Sequence, residues 1–428
     1  MNFLLLDFGT SRVKSAILKN GNHALSDFSE WTPILPTVDK DNKFEVSVHA
    51  LKNLFESIVT QYRRSFDLSG IFLCTEMHGF ALLDEKNNPI SNYISWQDGR
   101  ENTSQKKKLP DFLKKFPEKN YLEITGMMPA ASPVASLLHV LSDITKKNVK
   151  IVTMPELFAT DFGKSNSVAH ISSSAALGLW DYHNKCWSNA IIEYLEQYTG
   201  HKLLFNRVSD DFETAGVCQG IPVYCGMGDL QCAVIGARNS EKSISINLGT
   251  GSQVSQIGGN GTGFEYRPIF HNTIMKTVTH IPSGRVLNNF IGFLHEIAPN
   301  RNFWTESTNL SSEKITSATL DFDLALFNGA WGYSGAGSIR NIREKSLTVE
   351  NFLASLLKSY TSQYVKVINS FEISSVEKLI FSGGIANRIP SVREIISSQT
   401  GIPAITSGVA EETLEGLKIL ITNNFLTQ

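Results

Sequence analysis

Phe3-Leu4-Leu5-Leu6 is an unbroken apolar run that passes directly into the polar, glycine-bearing stretch Asp7-Phe8-Gly9-Thr10-Ser11. A short apolar run ending in turn residues reads as a buried strand. Residues 13–18 alternate enough for a second strand, and Lys19-Asn20-Gly21-Asn22 supplies its closing turn, so the chain opens on a hairpin. Over 50–62 the apolar positions are Leu51, Leu54, Phe55, Ile58 and Val59, the spacing of an amphipathic helix. The apolar strand 70–74 follows and enters Thr75-Glu76-Met77-His78-Gly79. Strand, hairpin, helix and strand in this order predict a mixed α/β architecture.

The second half restarts the pattern. Residues 221–225 form an apolar strand leading into Gly226-Met227-Gly228-Asp229, and 243–248 form another leading into Gly249-Thr250-Gly251-Ser252. Residues 378–381 enter Ser382-Gly383-Gly384, and a helical stretch over 391–399 follows. Each half thus offers an acidic or glycine turn at a strand end with a polar hairpin nearby, the mark of internal duplication. The soft boundary falls near 216–220, giving expected domains 1–218 and 219–428. A chain of 428 residues is long enough for two such domains.

Composition narrows the function classes. With 42% hydrophobic and 19% charged residues the chain can bury large cores and keep a polar surface, so it is globular. A formal net charge of -2 gives no basic field for a nucleic-acid backbone, which leaves a small-molecule partner. Cys74, Cys186, Cys218, Cys225 and Cys232 contain no C-x-x-C pair, and the evenly spaced last three read as small buried hydrophobes, not zinc ligands. The N-terminal apolar run is too short for a signal peptide or a membrane span, so a cytoplasmic location and no membrane partner are expected.

No Walker loop is present: Gly163-Lys164-Ser165 lacks the upstream glycine. Gly258-Gly259-Asn260-Gly261-Thr262-Gly263 follows a hairpin strand with no helix after it, so it reads as a hairpin tip and not a dinucleotide fingerprint. What remains is a pair of glycine-hydroxyl turns, Gly9-Thr10-Ser11 and Gly249-Thr250-Gly251-Ser252. Either alone is an ordinary β-turn. Together, their backbone N–H groups and hydroxyls would form two anion-binding concavities able to clamp a triphosphate. Asp7, just before the first turn, is placed to hold Mg²⁺ directly or through water. Lys14 either adds a positive charge there or lies on a solvated strand face. Asp229, between glycines at a strand end, is either a turn cap or a carboxylate presented to a cleft, where it would take the proton of an attacking hydroxyl. Glu76-Met77-His78-Gly79 and Trp96-Gln97-Asp98-Gly99-Arg100 bring an imidazole, carboxylates, a guanidinium and an indole, the mixture that polyol recognition needs.

In this order and spacing the five motifs resemble the FGGY carbohydrate kinases, and Ser382-Gly383-Gly384-Ile385-Ala386-Asn387 with Gly401-Ile402-Pro403 and Glu411-Glu412 resembles that family's adenosine segment. The resemblance implies two actin-like (ribonuclease H-like) domains, each a mixed sheet flanked by helices, with an interdomain cleft for Mg·ATP and a sugar. By position it makes Asp229 the catalytic base and counts Asp7 and Asp229 around Mg²⁺. It puts Met77, His78, Trp96, Asp98 and Arg100 on the substrate, and Gly9, Thr10, Ser11, Lys14, Gly249, Thr250 and Gly251 on the phosphates. Gly383, Gly384 and Asn387 fall beside the adenine. Gly228-Asp229-Leu230-Gln231-Cys232 with Met77-His78-Gly79 is most similar to the xylulokinase and sedoheptulokinase branch, which implies a ketose substrate. A homodimer is admitted as a further partner.

Three departures stand out. Glu76 replaces the usual glutamine, Pro133-Val134-Ala135-Ser136 lacks the usual lysine, and Asn328-Gly329-Ala330-Trp331-Gly332-Tyr333 lacks the usual Gly-Glu-Arg. The expected activity is phosphoryl transfer from ATP to a hydroxyl of a small sugar. The alternative these departures raise is a catalytically silent actin-like regulator that binds sugar and nucleotide.

Overall fold

The structure, a computed structural model, describes residues 1–19, 23–40, 42–164, 167–258, 263–327, 331, 333 and 335–426. The expected turn at 20–22, Ser165, the glycine-rich tip at 259–262 and most of the departure segment 328–333 lie outside the described residues. The chain divides into two compact units: unit 1 is Met1–Gly236, Tyr266–Ile274 and Val409–Gln428, and unit 2 is Ala237–Glu265 and Met275–Gly408. Position 218/219 falls at the tight turn joining two strands of unit 1.

Unit 1 is built on β1 (Asn2–Phe8), β2 (Val13–Lys19), β3 (Ala24–Trp31), β4 (Leu68–Thr75), β5 (Thr214–Cys218) and β6 (Ile221–Tyr224). Their order across the sheet is β5-β6-β4-β1-β2-β3. β1 is antiparallel to β2 and parallel to β4. It is covered on both faces, which is why Leu4, Leu5 and Leu6 read as a continuous apolar run and are fully buried. Helix α1 (Val48–Arg63) buries Val48, Leu51, Phe55, Ile58, Val59 and Tyr62 in the same core as Leu4, Leu6 and Phe8. The apolar stripe read from its spacing is therefore the core face.

Two helices carry site residues. α2 (Asp229–Gly236) starts where the short strand β7 (Met227–Gly228) leaves its pairing with Cys74 and Thr75 of β4. The C-terminal helix (Glu412–Ile421) crosses α2 at two glycines. A Cβ at Gly236 would stand 1.8 Å from the Glu412 carbonyl oxygen, and one at Gly416 would stand 1.8 Å from that of Cys232. Backbone meets backbone there, so the end of the chain is locked beside β1 and α2.

Unit 2 holds β8 (Ser243–Leu248), β9 (Ser252–Ile257), β10 (Ile274–Val278), β11 (Lys378–Ser382) and β12 (Ala404–Thr406), in the order β10-β9-β8-β11-β12. β10, β9 and β8 are antiparallel neighbours, while β8, β11 and β12 run parallel. The strands β3-β2-β1-β4-β6 of unit 1 follow the same sequence of antiparallel and parallel pairings. The repeat read from the motifs is thus a repeat of topology. The buried core of this unit gathers Ile244, Ile246 and Leu248 with Leu353, Tyr360 and Tyr364.

Candidate active site

In unit 1 the ends of β1, β4 and β7 deliver three carboxyl groups. Asp7 is buried; its Oδ2 accepts from Thr413 Oγ1 at 2.5 Å, and Cys74 Sγ lies 3.8 Å from its Oδ1. Burial raises its affinity for a proton, and the Thr413 hydrogen bond only partly offsets this. Asp229 is the first residue of α2, and its Oδ1 accepts the Leu230 N–H at 2.7 Å. Burial first, then the charge of Asp7, push its carboxyl up to about 8. Asp229 nevertheless keeps part of its surface open to solvent, which moderates the desolvation. The upward direction also rests on the neighbouring charge. The Asp229 backbone N–H is a second donor to its own carboxyl, and no side chain among the described residues donates to it.

The turn carrying Asp229 is fixed from behind. Gly228 N–H donates to Ser172 Oγ at 3.1 Å, Ser173 Oγ donates to the Gly226 carbonyl at 2.9 Å, and His170 Nδ1 lies 2.7 Å from Ser172 Oγ. Burial holds His170 neutral, its pKa lowered to about 3. A Cβ on Gly228 would meet Met77 Sδ at 2.6 Å, so the glycine lets Met77 pack against the Asp229 turn. His78 beside it has φ +67°, an uncommon conformation for a side-chain-bearing residue, and its Nδ1 is 3.0 Å from the Ala176 carbonyl oxygen.

Glu76 is buried and bound on both oxygens. Thr10 Oγ1 donates to its Oε2 at 2.5 Å and Ser95 Oγ to its Oε1 at 3.1 Å. Trp96 Nε1 donates in turn to Thr10 Oγ1 at 2.8 Å, while the indole stays 50% exposed, free to cover a ligand. Glu76 therefore links the indole to the first glycine turn, and burial favours its neutral form. A cavity of about 270 Å³ borders the turn, with Thr10, Ser11, Glu76, Ser95 and Gln97 on its polar wall.

Other residues singled out in the sequence meet protein partners. Asp98 and Arg100, expected to bridge sugar hydroxyls, bond to each other: Arg100 Nε lies 2.7 Å from Asp98 Oδ1, and Arg100 Nη2 lies 2.8 Å from Asp98 Oδ2 and from Glu45 Oε1. Asp98 also accepts from the Phe44 N–H at 2.8 Å and from Ser136 Oγ at 3.0 Å, and its side chain is 1% exposed. These contacts engage both of its oxygens and brace the Trp96–Arg100 loop. Ser136, in the segment lacking the family lysine, is part of that brace. Lys14, expected near phosphate, has its Nζ 2.5 Å from Glu411 Oε2. Glu411, read beside adenosine, thus lies in unit 1. Thr413, Ser172 and Ser173 are not among the residues the motifs single out, because they act through tertiary contacts and stand in no recognisable pattern.

In unit 2 the second glycine turn joins β8 to β9. The Gly249 carbonyl accepts from the Gly284 N–H and from Ser283 Oγ, both at 3.0 Å, and the Thr250 carbonyl accepts from the Arg285 N–H at 3.1 Å. Ser283 precedes helix α3 (Gly284–Ile297), so a helix start backs the turn. Gly383 has φ +88°, and a Cβ there would lie 2.6 Å from the Leu248 carbonyl carbon. The turn after β11 therefore presses against the end of β8. Gly251 and Gly384 face open space, and the Asn387 N–H reaches the Gly383 carbonyl at 3.4 Å. The Arg285 guanidinium stacks over Phe327 at 3.6 Å. Ser283, Gly284 and Arg285 likewise fall outside the motifs; their one signal in the sequence is a Pro-Ser-Gly helix start.

The model of the FGGY family of carbohydrate kinases, N-terminal domain, matches residues 2–236. A xylulose kinase of Staphylococcus xylosus is 23% identical over 278 residues, covering 61% of this chain and 56% of that protein. The chain spans about half the length of the curated relatives it matches. Ligand-bound xylulose kinase from Lactobacillus acidophilus superposes with a TM-score of 0.79 at 13% identity, covering 98% of this chain and 89% of that one. Gluconate kinase from the same organism gives 0.82 at 13% identity, covering 100% and 90%. At these identities the likeness shows the fold, mixed sheets flanked by helices in two actin-like domains. Among the described residues no helix is long and apolar enough to cross a membrane.

Proposed function

The chain belongs to the FGGY family of carbohydrate kinases, and from that premise we propose that it transfers the γ-phosphoryl group of ATP to a hydroxyl of a small sugar. Asp229 carries the reading. Its carboxyl is held by backbone N–H groups alone, and its proton affinity is raised to about 8, close to the pH at which a general base is most useful. The Asp229 carboxylate takes the proton of the sugar hydroxyl as the hydroxyl oxygen bonds to the γ-phosphorus and ADP leaves with the old bridging oxygen. Met77, His78 and Trp96 bind and orient the sugar, with Trp96 held by Thr10. Asp98 and Arg100 position that loop.

The nucleotide is assigned unit by unit: Gly9, Thr10 and Ser11 with Lys14 to phosphate on unit 1, and Gly249, Thr250 and Gly251 with Gly383, Gly384 and Asn387 to the nucleotide on unit 2. Asp7 and Asp229 suit a hard divalent cation. Both are carboxylates whose charges oppose each other, and Asp229 keeps an accessible edge. Mg²⁺ bound there would neutralise charge on the transferring phosphate. The similarity to xylulose kinases favours a ketose such as xylulose, with sedoheptulose next. An ADP-release assay over a ketose panel tests the activity, and no turnover on any sugar would leave the silent regulator in its place.

A further inference from the structure

Unit 1 contains a cleft that this reaction does not use. One arm, of about 490 Å³, is lined by His49, Asn92 and Ser47 among others. The second arm, of about 420 Å³, is lined by Lys43, Lys106, Lys108 and His139 with the hydroxyls of Ser104 and Ser142. Arg100 and Asp143 line both arms, so the two share that wall.

The charge in the second arm is uneven. Arg100 is balanced by Asp98 and Glu45. Glu101 is taken by His139 Nε2 at 2.7 Å and by the backbone N–H groups of Lys108 and Leu109. Lys107 turns away to the Glu101 and Asn102 carbonyls. Lys108 Nζ donates to Ser142 Oγ at 3.3 Å and to Tyr198 Oη at 3.4 Å, and it lies 5.1 Å from the centre of the Tyr198 ring. Among the described residues Lys43 and Lys106 form no ion pair, although the charges of Lys106 and Lys108 reach Asp111, and Asp143 is the one lining carboxylate without an ion pair. Lys43, Lys106 and Lys108 therefore line one concave space in a chain whose net charge is -2. Such a space suits a compact dianion with several acceptor oxygens.

We propose that this cleft binds a phosphorylated polyhydroxy small molecule, with its phosphate on Lys43, Lys106 and Lys108 and its hydroxyls along Asp143, Asn92 and His49. The ammonium groups donate to the phosphate oxygens, while the carboxylate and amide of the other arm read hydroxyls. The cleft shares Arg100 and Glu45 with the brace under the Trp96 loop, while its other lining residues are assigned to neither ATP nor sugar, and its test reads binding and not turnover.

Calorimetry at fixed ionic strength tests this, using the full chain with excess Mg·ADP to fill the nucleotide's own phosphate contacts. The probes are glucose monophosphate, inorganic phosphate and glucose. The expected result is that glucose monophosphate binds more tightly than phosphate and that glucose gives no heat. In the double variant Lys43→Ala/Lys106→Ala, which removes two exposed side chains, affinity for the ester should fall about tenfold or more. Asp143→Asn with His49→Ala should weaken the ester and leave inorganic phosphate unchanged. Wild-type affinity in the lysine variant, absence of binding to the native chain, or equal affinity for ester and phosphate would each overturn the proposal.

Discussion

The two glycine turns sit at equivalent places in two sheets of like topology, yet they are furnished differently. Around Gly9-Thr10-Ser11 the neighbours are titratable: Asp7, Glu76 and Asp229 all have their proton affinity raised by burial. Around Gly249-Thr250-Gly251 they are backbone groups, with Gly383 against Leu248 and α3 behind. The two copies of the turn thus differ in their surroundings, one set among buried carboxyl groups and the other among close main-chain contacts. Substitutions in unit 1 should move kcat and its pH dependence, while those in unit 2 should move nucleotide affinity.

The largest effect belongs to Asp229→Asn. Turnover should fall by about 10²-fold or more, measured on the best ketose of the panel. The same variant should be more stable at neutral pH. The folded carboxyl holds its proton up to about 8 against an ordinary value of 3.8, so the native state binds more protons than the unfolded chain between those values. Native stability is therefore lost as pH rises through that window, and the neutral amide escapes the loss. A melting temperature unchanged or lowered by Asp229→Asn near neutral pH would break the account of its burial.

Next comes Gly383→Ala, which places a methyl group 2.6 Å from the Leu248 carbonyl at a positive φ. The cost should be about 1–3 kcal/mol in denaturant unfolding. ATP affinity should weaken with the shape of the pH profile retained. Gly251→Ala, which meets nothing within 4 Å, serves as the control and should fold normally.

Thr413→Val removes the hydrogen bond that lowers Asp7. Turnover near neutral pH should drop a few-fold, and the rising limb of the pH–rate profile should move to higher pH. An unmoved profile would detach Asp7 from the chemistry. Smallest is Glu76→Gln. An amide can still pair with Thr10 and Ser95, so activity should stay within a few-fold of wild type. Glu76→Leu, which leaves Thr10 and Trp96 without that anchor, should raise the sugar KM more than it lowers kcat.

Much of the fold and part of the site are legible in the order of residues. Leu4 to Leu6, the stripe of 50–62 and the strand ends at Asp7, Gly228 and Leu248 are local patterns, since burial on both faces, helical period and turn chemistry are written in adjacent residues. The family's ordered motifs single out Asp229 in the same way. What adjacency cannot carry is which partner a side chain finds. Asp98 and Arg100 look equally suited to a ligand or to each other, and only the packing of Phe44, Glu45 and Ser136 around them supplies the partners they have in the fold.

The end of the chain is the extreme case. The duplicated α/β pattern, the glycine turns and the acidic residues at strand ends each depend on a few neighbouring side chains, so the linear chain specifies them. Folding alone brings Glu411 to Lys14 and Thr413 to Asp7, 397 and 406 positions apart, through the backbone contact of Gly236 and Gly416. Contacts at that separation are set by helix crossing and sheet order, and those exist only once the chain has folded.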